Sequence, residues 1–85
     1  MKNLYWIVTW LERWPDGTVN GFKTAIKSTT LTKAARIAKA ELTIRTTAYQ
    51  KNVHYLITNI GLGDESAADL VGKSETDALA IDWPE

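Results

Sequence analysis

The sequence predicts an α+β fold, a small antiparallel sheet in the order β-β-α-β with one helix packed on one face. A fourth, edge strand is available from the C-terminal segment. Three observations carry this expectation. Alternating β-branched and aromatic residues flank a Pro-Asp-Gly turn, apolar residues then recur at helical spacing behind a capping hydroxyl, and a further alternating run ends on Gly61-Leu62-Gly63. The 85 residues, 45% hydrophobic and 24% charged, suit one globular domain.

The first strand is expected over Leu4–Trp14, with Leu4, Trp6, Val8, Trp10, Glu12 and Trp14 on one face and Tyr5, Ile7, Thr9, Leu11 and Arg13 on the other. Pro15-Asp16-Gly17 supplies the hairpin turn, since proline pre-sets φ and glycine accepts the positive φ that closes it. The second strand runs roughly over Thr18–Lys27, and Asn20-Gly21 within it suggests a bulge or local twist. Thr30 is placed to cap a helix in which Leu31, Ala34, Ala35, Ala38 and Leu42 face inward. Lys33, Arg36 and Lys39 turn outward, and Thr43, Thr46 and Thr47 weaken the helix near Arg45. Val53–Ile60 reads as the third strand, with Val53, Tyr55 and Ile57 alternating against His54, Leu56, Thr58 and Ile60. Beyond the glycines, Ser66–Val71 suits a helical turn or two. Ser74-Glu75-Thr76-Asp77 has capping-box spacing, but Leu79, Ile81 and Trp83 alternate, which favours an edge strand over Asp77–Trp83.

The net charge of zero conceals a division. Residues 1–62 carry nine bases and three acids, a surplus of six, whereas residues 63–85 carry seven acids against Lys73 alone. The chain therefore reads as a basic body and an acidic C-terminal segment, within one domain or as a tail. Such a segment either screens the body or marks an interaction protein. With no cysteine and one histidine, neither a disulfide scaffold nor a structural zinc site is expected, and no cofactor is implied. The apolar run Tyr5–Leu11 is too short to span a bilayer and no small-residue cleavage site follows it, so the expected location is the cytoplasm, with no membrane partner.

An enzyme is not expected. His54 has no nucleophile or acid at a telling spacing. Gly61-Leu62-Gly63 resembles the start of a phosphate loop, but Asp64 and Glu65 follow at once and repel phosphate, so its expected role is to end the strand and free the tail. The tail acids lack the rhythm of a calcium loop.

Binding is the better expectation. One helix covers one sheet face, yet the first strand is apolar on both. The second face must be covered by the tail, by a second copy in a homodimer, or by a foreign protein or nucleoprotein. The anchors would be the exposed members of Tyr5, Trp6, Trp10 and Trp14, with Arg13, Lys23 and Lys27 as a charged rim, and the face under the helix would be core. A nucleic-acid reading would use the same tryptophans as stacking platforms with Arg13, Lys23, Lys27 and Lys51 on phosphates. An isoelectric point near 6.6 weighs against it. The outward helix cations are equally well explained as a solvated surface.

From Tyr5-Trp6-Ile7-Val8 through Thr24-Ala25-Ile26-Lys27 to Ser28-Thr29-Thr30-Leu31-Thr32-Lys33-Ala34-Ala35-Arg36-Ile37-Ala38, the chain resembles small β-β-α-β proteins of phages and mobile elements, some anti-CRISPR proteins among them. The similarity spans residues 4–60 and rests on a helix cap plus alanine packing. It implies a non-enzymatic inhibitor that binds a host protein or nucleoprotein effector. The hairpin and the Thr-Leu-x-x-Ala helix are also similar to the N-terminal region of HicB-type antitoxins, although the proline-rich segment of that family is missing between second strand and helix. Neither resemblance transfers a functional residue.

Overall fold

In the computed structural model, which describes residues 3–49, 52–76 and 83, strand β1 (Leu4–Arg13) pairs along its whole length with β2 (Val19–Ser28), from Leu4 opposite Ser28 to Arg13 opposite Val19. The turn between them is built as its residues dictate. Gly17 takes φ +92° and donates to the Trp14 carbonyl at 2.9 Å, and Thr18 N–H donates to Asp16 Oδ1 at 2.8 Å. Hydrogen bonds from the Thr18 side chain and backbone hold the Asp16 carboxyl below its ordinary pKa. Of the bulge or local twist expected at Asn20-Gly21, the bulge is absent from β2. The register is unbroken there, and the Asn20 amide donates to Glu12 Oε1 across the pair at 3.2 Å.

The irregularity lies in the other pairing of β1. Strand β3 (His54–Leu62) runs antiparallel to it, with Thr9 opposite Asn59 but Trp10 opposite Ile57, so Thr58 is one residue extra. Its hydroxyl donates to the Thr9 carbonyl at 3.3 Å. One inserted residue reverses the side-chain parity of a strand. Ile60 consequently joins Tyr55 and Ile57 on one face, where simple alternation would have put it on the other.

Helix α1 (Leu31–Ile44) starts where predicted, with Thr30 Oγ1 accepting from Lys33 N–H at 3.2 Å. Ala34 and Ala38 are fully buried against the sheet, where their small side chains allow close approach. Leu31, expected on the inner face, is instead 49% exposed, because the first helical position precedes the point at which α1 reaches the sheet. Towards its end the Thr43 hydroxyl bonds the Lys39 carbonyl and the Thr47 hydroxyl the Thr43 carbonyl. The chain loosens there into a π-helical turn, Arg45–Tyr49.

The core fills the space between α1 and one sheet face. Val8, Trp10, Phe22 and Ala38 form its centre, bordered by Ile26, Leu42, Tyr55, Ile57 and Ile60. Trp10 stacks on Phe22 with ring centroids 5.6 Å apart, and Tyr55 meets Phe22 edge-on at 6.4 Å. The Arg45 guanidinium lies over this group, 4.9 Å from the Phe22 centroid and 5.1 Å from that of Trp10, while its Nε holds Glu41 at 3.1 Å. The face of β1 under the helix is therefore that of Trp6, Val8 and Trp10.

The C-terminal segment returns to the opposite face. Gly63 N–H donates to the Tyr5 carbonyl at 2.8 Å, and a 3₁₀ helix (Glu65–Leu70) follows. Ala67 is buried there, reaching the Gly63 site together with Ile7. Val71 makes an isolated parallel bridge with Ala25, and the short strand β4 (Glu75–Thr76) pairs with β2 at Lys23 and Phe22, giving the sheet order β3-β1-β2-β4. The segment thus supplies a fourth edge strand, but at Glu75–Thr76. The strand expected over Asp77–Trp83 lies outside the described residues except for Trp83, and the capping-box residues Glu75 and Thr76 are extended rather than helical. Among the described residues no helix is long and apolar enough to cross a membrane.

Candidate interaction surfaces

The anchors expected from sequence do not converge on one site. Trp10 is fully buried with its indole N–H donating to Thr24 Oγ1 at 2.8 Å, so it serves the core and cannot meet a partner. Trp6, half-buried on the same face, donates to the Ser28 carbonyl at 3.1 Å, and Trp14 donates to Glu12 Oε1 at 3.1 Å. Tyr5, Arg13, Lys23 and Lys27 belong to the opposite face, where the C-terminal segment lies. Tyr5 and Lys27 share a shallow hollow with Glu65, and Lys23 lines a groove with Asp64, Asp69 and Glu75. The Arg13 guanidinium lies 4.8 Å from the centroid of the Trp83 ring. The rim expected to steer a partner is in large part occupied by the chain itself.

A different surface gathers exposed apolar side chains. Leu62 is 64% exposed, Leu31 49% and Leu4 38%. Trp6 pairs directly with Leu62, Leu4 lies two positions before Trp6 on the same face, and Ser28, opposite Leu4, leads through the cap into Leu31. All four side chains therefore stand at the end of the sheet where α1 begins. Sequence reasoning assigned Leu31 to the core and read Leu62 as part of a strand-ending signal. The clue was Leu31's place at the first helical residue, before the helix has any sheet beneath it.

Strand β3 continues from this end as an open edge. Among the described residues β1 alone pairs with it, and His54–Leu62 contains no Asp, Glu, Lys, Arg or Pro. Edge strands in monomeric proteins are commonly protected by such residues, and here the bulge at Thr58 is the visible interruption. His54 itself is exposed at the first position of the strand, opposite Arg13. Along the flank of α1, Ile37 lines a groove of about 460 Å³ with Trp10, Thr24, Ile26, Glu41 and Arg45.

The glycine pair after β3 does not form a phosphate cradle, nor does it free the tail. A Cβ on Gly63 would stand 2.9 Å from Ile7 Cγ1 and 3.1 Å from Ala67 Cβ, so the glycine lets the segment turn tightly under the sheet. Asp64 then caps the 3₁₀ helix, accepting from Ser66 N–H at 3.0 Å and from the Ser66 hydroxyl. Those bonds, the hydroxyl's first, hold its carboxyl below the ordinary value. No group of three His, Asp or Glu side chains converges among the described residues. No protein-family model, curated protein or solved structure matches the chain.

Proposed function

We propose that this chain is a small binding protein that acts by occupying a surface on a protein or nucleoprotein partner, as its resemblance to phage and mobile-element inhibitors implies. The observation that supports this reading is the apolar end formed by Leu4, Trp6, Leu31 and Leu62, continuous with the uncharged edge of β3. Exposed leucines grouped in this way are costly in water and gain most when a partner covers them. An open edge beside them offers main-chain hydrogen bonds to a partner strand, so affinity and side-chain selection would come from adjacent features.

The test is the double variant Leu31→Ser/Leu62→Ser. Both residues are exposed, so its melting temperature should match that of the native chain. Affinity for the host partner retained by the native chain should fall at least tenfold, about 1.4 kcal/mol, as expected for interface anchors. Undiminished affinity in the double variant overturns the proposal.

A further inference from the structure

The charge division visible in the sequence does not survive evenly in three dimensions. Four acids of the C-terminal segment line grooves with the cations of the sheet: Asp64, Asp69 and Glu75 in one with Lys23, and Glu65 in another with Lys27. This grouping lies on the face opposite α1, because the segment packs on Ile7 and the helix packs on Val8 and Trp10. Lys33, Arg36 and Lys39 are all exposed on α1 and take no part in it. The first turn of α1 carries no acid, and its one acid, Glu41, is held by Arg45. No acid among the described residues stands within ion-pairing distance of the three cations. Where the described part of the segment does reach the flank of α1, beside Ile37 and Glu41, it brings Gly72, Lys73 and Ser74 and no acid.

From this polarity we infer that the outer ridge of α1 is a docking surface for the phosphate backbone of a nucleic-acid duplex. Lys33, Arg36 and Lys39 follow one another over about 9 Å of helix rise. The central residue is an arginine, whose guanidinium bonds phosphate oxygens in pairs. Thr32, Ala40 and Thr43, short and exposed, stand between and beside the cations, so a backbone can approach the helix closely. A duplex presents one negative charge per ~1.7 Å of its axis, dense enough to engage all three residues at once. The inference concerns a different surface from the apolar end and stands without it. It also moves nucleic-acid contact from the tryptophan-bearing sheet, where the sequence suggested it, to the helix.

Fluorescence anisotropy of a labelled 20-base-pair DNA duplex of mixed sequence, titrated with the full chain between 50 and 200 mM salt, tests this. Three phosphate contacts predict a log–log salt slope of about −2 to −3. Lys33→Gln/Arg36→Gln/Lys39→Gln should lower affinity at the lowest salt at least tenfold and flatten the slope. Lys23→Gln/Lys27→Gln and Leu31→Ser/Leu62→Ser should change neither, which separates this surface from the apolar end. Absence of binding at 50 mM salt, or native affinity in the triple variant, overturns the inference. Displacement of the duplex by polyglutamate at equal charge concentration overturns it too, by assigning the ridge to an acidic protein surface or to the acidic face of a second copy.

Discussion

Two glycines one residue apart show how differently the same residue type can be required. Neither Gly61 nor Gly63 has a positive φ, so the backbone does not demand glycine at either. Space decides. A Cβ on Gly61 would meet the Asn59 amide nitrogen at 3.4 Å, the far end of a side chain able to move. At Gly63 the new methyl would collide with Ile7 and Ala67, both packed between sheet and tail. Gly63→Ala is therefore expected to destabilise the fold by about 1–3 kcal/mol, the usual cost of overpacking. Gly61→Ala should be neutral or slightly stabilising, since alanine has less unfolded-state freedom to lose. Urea denaturation of the two variants against the native chain measures both, and equal effects would show that the tail does not depend on close approach at Gly63.

At the scale of elements, the bulge in β3 governs which side chains reach the core. A regular ladder with β1 that kept Thr58 in it would cost parity. Either Tyr55 and Ile57 or Ile60 and Leu62 would then turn to the other face. Losing Tyr55 and Ile57 from the core forfeits about 1.5–3 kcal/mol for each large side chain, a substantial part of a total of about 5–15 kcal/mol. The Thr58 deletion removes the extra residue and leaves Tyr55, Ile57, Ile60 and Leu62 in regular alternation on the helix face. It should therefore keep a cooperative thermal transition, as should Thr58→Ala. Loss of the transition in the deletion alone would show that the bulge itself, and not the parity it preserves, is required. Circular dichroism melting distinguishes the two outcomes. This element also marks where the sequence stopped being legible. The hairpin was readable because Pro15-Asp16-Gly17 admits few alternatives, and the start of α1 because Thr30 caps it through a local bond. The β3 bulge was not, because Leu56 and Ile57 are adjacent and either fits an inward position until the register with β1 is known. The proposed binding surface was hidden for a related reason. Tryptophan count pointed to the aromatic face, and only the placement of α1 over that face shows Trp10 to be core and leaves Leu31 and Leu62 outside.

For the whole molecule, the acidic segment covers part of one sheet face and brings four acids into grooves with its cations, and cover and charge can be separated by measurement. A chain ending at Leu62 would lose the Gly63 and Ala67 packing on Ile7 and the bridge from Val71 to Ala25, and its net charge would rise by six. A body of this size is marginal by surface-to-volume scaling. Re-exposing the Ile7 side chain alone costs about 1.5–3 kcal/mol, which in so small a domain lowers the melting temperature by roughly 6–24 °C. The electrostatic effect runs the other way for an anionic ligand. Lys23 and Lys27 would lose their acidic neighbours, so duplex affinity at 50 mM salt should rise and the salt slope steepen by about one unit per added phosphate contact. Partial replacement distinguishes cover from charge. With Asp69→Asn/Glu75→Gln in the full-length chain, the apolar cover remains, so melting should be unchanged while duplex affinity rises. If that variant melts lower with unaltered affinity, the acids serve the fold and the segment does not screen the sheet. If affinity rises at constant melting temperature, the zero net charge of this chain is the sum of a neutralised sheet face and a helix ridge left positive.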